Sequence, residues 1–219
     1  MRHNLEITAS VLLIVGAIVL QGCGAFSSYK IDLPVPAEMP AAPVVGHGIA
    51  ITVVRPVDAR SGSGYIGRDV EAEPNALGGG SHIEVAYASA KGNIPVWIGN
   101  AFASGLENAG FRVDKAASLS AAATPLALTL TVKEVWVDVG MSSTSLLLGR
   151  VARARISITA ELYNGSTRFM KRVYGGRFEE DVAFKTTDTV YTDVLEGALK
   201  NMLSKAIPDL AGVITRQTT

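Results

Sequence analysis

Residues 148–178 read LGRVARARISITAELYNGSTRFMKRVYGGRF. Two runs of alternating side chains flank Asn164-Gly165, the dipeptide best suited to a two-residue type I′ turn, because both central positions need positive φ. The stretch therefore predicts a hairpin, Leu148–Tyr163 with Ser166–Phe178. A two-residue loop sets Tyr163 beside Ser166. Glu161 then lies opposite Arg168 as a charge pair, and Arg155 opposite Tyr174 for a cation–π contact. Ile156, Ile158, Ala160 and Leu162 face the core. Lys171 falls on that same face opposite Ile158, which calls for a bulge or an edge position.

Upstream, Leu126 to Val139 is the strongest strand. Leu126, Leu128, Leu130 and Val132 share one parity, and Val135, Val137 and Val139 the other, so a β-bulge is expected near Lys133–Glu134. Pro95 to Ala109 reads as a helix with Ile98, Phe102 and Leu106 on one stripe and Gly110 as its stop. Thr187 to Ile207 reads as a second helix, which Pro208 ends or kinks. His47 to Val57 alternates as a first strand, limited by Pro56. Residues 58–94 form a long glycine-rich connection with a short strand at Ser81–Ala88. This order predicts an α+β fold: a mainly antiparallel sheet with two helices packed on one face.

The N-terminus reads as a targeting segment. Arg2 precedes an apolar run, Val11 to Leu20, too short to span a bilayer and suited to a signal peptide. The run ends in Leu20-Gln21-Gly22-Cys23, which resembles a bacterial lipobox with Cys23 as the acylated residue. Residues 1–22 are then a lipoprotein signal peptide. Residues 23–46, with Pro34, Pro36, Pro40 and Pro43, form a proline-rich tether that could hold a domain tens of ångströms from the bilayer. The folded domain spans 47–214, and 215–219 is a disordered tail. Gly24 rather than aspartate after the cysteine points to the outer membrane, facing the periplasm.

Composition narrows the function. The chain has 219 residues, 20 basic and 20 acidic, and a neutral chain lacks the basic footprint of a nucleic-acid binder. One cysteine excludes a disulfide framework within the chain, and three histidines leave little imidazole chemistry. No nucleotide-binding glycine loop is present. Ser81-His82 with Asp58 lacks the Gly-x-Ser-x-Gly elbow. His47, His82 and the acids Glu71, Glu73 and Glu84 lack metal-ligand spacing. No catalytic residue, metal or cofactor is assigned. Trp97 and Trp136 read as packing residues. Residues 150–177 hold seven cations against Glu161: Arg150, Arg153, Arg155, Arg168, Lys171, Arg172 and Arg177. Of these, Arg153, Arg155, Arg168 and Arg172 fall on one sheet face in this register and form a candidate anionic-ligand face.

The lipobox, the tether, Arg55-Pro56-Val57-Asp58-Ala59-Arg60, Gly110-Phe111-Arg112-Val113, the strand Leu128–Asp138, the Asn164-Gly165 hairpin and the closing helix together resemble the YajG-type bacterial lipoproteins over roughly residues 47–214. The resemblance implies an envelope lipoprotein domain of a kind also seen in accessory subunits of envelope machines. It implies no activity, cofactor or catalytic residue. The expected function is a non-enzymatic cell-envelope lipoprotein, membrane-bound through its anchor and engaging an envelope protein or an anionic lipid. The alternative is an accessory lipoprotein of a transport system that binds lipid or lipopolysaccharide through the basic face. An envelope hydrolase is the weaker third reading.

Overall fold

The computed structural model describes residues 28–34, 40, 43–61, 64–74, 81–141, 150–182 and 187–218. The strands are β1 (Ser28–Ile31), β2 (Ala50–Val54), β3 (Val57–Asp58), β4 (Tyr65–Pro74), β5 (Ser81–Ala90), β6 (Arg112–Ala116), β7 (Leu126–Met141), β8 (Arg150–Asn164) and β9 (Thr167–Asp181). Helix α1 is Ile94–Asn108 and α2 is Thr187–Thr218.

The spine is β7. Along one edge it meets β2, β3 and β4 in succession, at Ala127–Leu128, Thr131–Val132 and Val137–Val139. Along the other edge it pairs with β8 for its whole length. Pro56 is why β2 and β3 are two strands, since proline cannot donate to a ladder. Leu128, Leu130, Val132, Val135, Val137 and Val139 are all buried, and the expected bulge lies between Val132 and Glu134. One extra residue, Lys133, restores the inward parity.

The α+β class stands, but the expected packing of two helices on one face of a mainly antiparallel sheet is overturned. The described residues form a curled nine-stranded mixed sheet. The pairs β1–β5, β2–β6, β2–β7, β3–β7 and β4–β7 are parallel, whereas β4–β5, β7–β8 and β8–β9 are antiparallel. The helices serve different parts of the sheet: α1 contacts β2, β3, β6 and β7, and α2 lies mainly on β8 and β9. They meet where Gly105 admits Ile207, whose Cδ1 would sit 2.7 Å from a Cβ there. Alternation of side chains does not encode strand direction, so the parallel pairings left no mark in the pattern.

Local sequence accounts for the elements themselves. Asn93 caps α1, its side chain accepting from Val96 N at 3.1 Å, and Gly110 leaves it at φ +88. Ile98, Phe102 and Leu106 are fully buried, each contributing about 2–3 kcal/mol by area. Helix α2 runs past the expected end at Ile207 and takes in residues 215–218, with Pro208 inside it. The missing N–H frees the Ser204 carbonyl, which lies on the exposed side of the helix. Leu210, Ala211 and Ile214 extend the buried stripe beyond it. Strand β4 occupies what was read as connection. Part of the stretch read as a tether is also built in: β1 pairs with β5, and Ile31 is buried. No helix among the described residues is long and apolar enough to cross a membrane.

Candidate anion-binding face

The hairpin forms, but one residue later than expected. Asn164 pairs with Thr167, and the two-residue loop is Gly165-Ser166. Only Gly165 has positive φ, +59, which fits a turn with glycine first rather than Asn-Gly at its centre. A second shift follows between Leu162 and Tyr163, at the level of Phe169. Lys171 thereby lies opposite Glu161 on the outer face, and the buried residue is Met170. The bulge and edge position required by Lys171 are both present.

The new register rearranges the candidate residues. Arg153 and Arg155 face outward from β8, and Arg168 sits opposite Tyr163 on the same side. Arg172 does not join them. It lies opposite the buried Ala160, on the helix side, and bonds Asp209 of α2. The expected Arg155–Tyr174 contact is likewise absent. Tyr174 faces Ile158 and donates its hydroxyl to Asp209 at 2.6 Å. Opposite Arg155 stands Arg177.

Across the outer face the charges alternate by strand. Arg68 of β4 bonds Asp138 of β7 at 2.8 Å, and Arg153 of β8 bonds Glu179 of β9 at 2.8 Å. The Arg153 hydrogen bond holds the Glu179 carboxyl below its ordinary range. Glu161 receives Lys171 at 3.0 Å, Arg168 at 2.9 Å and the Tyr163 hydroxyl at 3.0 Å. Lys171 is the largest influence lowering its carboxyl, against a smaller rise from burial. The Arg168–Glu161 pair expected from sequence thus exists, but as a diagonal rather than a direct cross-strand pair.

Arg155 and Arg177 break this alternation. Like charges directly opposite on a sheet repel. Arg155 donates to Asp138 at 3.3 Å and lies 3.4 Å from Glu134, both longer than the other ion pairs on this face. Among the described residues, Arg177 has no carboxylate within ion-pair distance; its backbone carbonyl accepts from Asn201 at 2.8 Å. Three adjoining concavities share Arg155. The largest, about 660 Å³, carries Trp136, Tyr65, Arg60 and Lys133; the others, about 420 and 350 Å³, each include Arg177, and the last also Lys205. In the largest, Arg60 is held to Asp58 at 2.8 Å. The arrangement offers forked donors beside an aromatic ring, suited to an anionic oxygen group.

Arg177 was visible in the basic run, but the slipped register placed it away from Arg155. The carboxylates Asp138 and Glu134 come from β7 and had no local signal. Leu20, Gln21, Gly22 and Cys23 lie outside the described residues, as do the side chains of Ser81 and His82. The described residues hold no cluster of three metal-ligating side chains. Trp136 is half-buried at the site, and Trp97 is buried with its Nε1 donating to the Pro34 carbonyl.

No family model matches the chain, and no curated protein matches it. Among solved structures it is similar to a Xanthomonas campestris protein of the family-model DUF330, at 16% identity over 87% of this chain and 96% of that one, with TM-score 0.45. It is similar to the PelC dodecamer subunit from Paraburkholderia phytofirmans at 13% identity, 77% and 96% coverage and TM-score 0.31. It is also similar to lipoprotein GNA1162 from Neisseria meningitidis at 14% identity, 78% and 97% coverage and TM-score 0.30. Likeness at this level says nothing of ligand or partner.

Proposed function

We propose that this chain is a non-enzymatic envelope lipoprotein, anchored through acylated Cys23, whose outer sheet face binds an anionic group between Arg155 and Arg177. The single observation that carries the binding reading is the direct opposition of these two arginines on a face where the other charges alternate. A phosphate or carboxylate bridging them would relieve the repulsion and accept forked hydrogen bonds. The anchor reading is supported by the lipobox and by the position of the only cysteine at the end of the apolar run.

The test uses Trp136, which lies opposite Arg155, as reporter. The probe is a short-chain soluble phosphatidylglycerol, with the zwitterionic phosphatidylcholine of equal chain length as control. Native protein should change its tryptophan emission with the anionic probe and not with the zwitterionic one. The pair Arg155→Gln and Arg177→Gln should weaken that response about tenfold or more, the loss of one or two charge-assisted hydrogen bonds. An equal response in the variant would overturn the site.

A further inference from the structure

Residues 28–34 are docked on the domain, which leaves little sequence after Cys23 to act as a spacer. Strand β1 pairs in parallel with β5, Ser28 beside Tyr87 through Ile31 beside Ala90. Ile31 is 1% exposed, and its carbonyl accepts from Lys91 N at 2.9 Å. Lys91 Nζ also reaches Asp32 at 2.9 Å, and buried Trp97 holds the Pro34 carbonyl. Further on, the N–H groups of Val45 and Gly46 both donate to the Ala109 carbonyl. Only Gly24, Ala25, Phe26 and Ser27 separate Cys23 from this docked strand. Five residue steps reach at most about 18 Å.

Direction follows from register. Strand β1 is parallel to β5, and β5 is antiparallel to β4, so the N-terminal end of β1, at Ser28, faces the way β4 runs from Arg68 to Pro74. Ser28 is level with Tyr87, Arg68 and Asp138 across the sheet. Toward that same end β7 finishes at Met141, β8 begins at Arg150 and β9 finishes at Asp181. The Gly165-Ser166 turn is at the opposite end, fifteen residues of β9 away, or about 50 Å.

Resting on the Cys23 anchor, we propose that β1 stands the domain upright on the phospholipid bilayer, with the Met141–Arg150–Asp181 end toward the lipid and the Gly165-Ser166 turn away. The Arg155–Arg177 face then looks sideways into the compartment, open to a partner rather than laid on the domain's own bilayer.

The experiment uses the acylated full chain in phosphatidylcholine–phosphatidylglycerol vesicles carrying an energy acceptor on a lipid headgroup. Donor dye is placed through Asp181→Cys or Ser166→Cys, both exposed positions. Transfer should be several-fold stronger from position 181. A Gly-Ser insert of about 20 residues between Ala25 and Phe26 should erase that difference, since such a linker is a flexible coil. Equal transfer from the two positions in the native chain, or stronger transfer from 166, would overturn the proposal. Vesicle flotation separates the two ways of failing. Protein that floats but shows no difference defeats the orientation alone; protein that does not float defeats the anchor and the orientation with it.

Discussion

Gly176 shows how much of this fold hangs on one missing side chain. A Cβ there would lie 1.9 Å from the Ala198 carbonyl oxygen and 2.9 Å from Met202 Cβ, so α2 can lie on β9 only because the position is glycine. Gly197 makes the reciprocal contact, with the Phe178 ring 2.4 Å from where its Cβ would be. The obstacle at 176 is backbone, which cannot rotate aside. Gly176→Ala should therefore destabilise the domain by about 2–3 kcal/mol. That is a fall of about 4–12 °C in a thermal melt of a chain this size. An unchanged Tm would mean that α2 does not sit on β9 as described. In the sequence nothing around Gly175-Gly176 points to this contact. The reason for the glycine lies across the sheet in a helix more than twenty residues later.

Single elements were legible where one side faces water and the period is clean. The stripe of α1, the switch of parity in β7 and the existence of the β8–β9 hairpin all follow from the order of apolar residues. Its register did not, because Gly165 takes the first turn position and a bulge near Phe169 adds a second shift. Strand β4 was hidden by Gly67, which stands where a Cβ would lie 2.5 Å from the Val137 carbonyl and 2.7 Å from the Tyr191 ring. The candidate site suffered most, since a slip of register exchanged Tyr174 for Arg177 opposite Arg155 and put Arg172 on the helix side.

That exchange created a link between elements instead. Arg172 and Tyr174 of β9 both bond Asp209 of α2. Burial works against the charge on Asp209, but the bonds from Arg172 and Tyr174 outweigh it and hold the carboxyl below its ordinary value. A depressed folded-state pKa contributes stability that is complete above the unfolded value near 4 and is lost as pH falls through the lower folded value. Asp209→Asn should therefore cost about 1 kcal/mol at neutral pH. The Tm gap to the native protein should close below about pH 4. A gap that stays constant from pH 7 to pH 3 would show that the carboxylate charge plays no part in joining α2 to β9.

At the scale of the whole molecule the sheet is a wall with two distinct ends and a charged outer face. The end near Ser28 is five residues from Cys23 in sequence, and the face carries the Arg155–Arg177 pair. The sequence alone suggested an extended proline-rich tether between anchor and domain, because proline density marks extended chain without saying what that chain touches. Ile31, Asp32 and Pro34 find partners on Lys91 and Trp97, about sixty residues later. Everything about orientation depends on the anchor itself, which makes Cys23 the residue to examine first. The decisive measurement is the intact mass of the protein extracted from membranes of a bacterium that expresses the full chain. The account predicts a chain beginning at Cys23, without residues 1–22 and heavier by a diacylglyceryl group and its accompanying acylation. A protein that keeps residues 1–22, or that begins elsewhere with an unmodified thiol at Cys23, would contradict it.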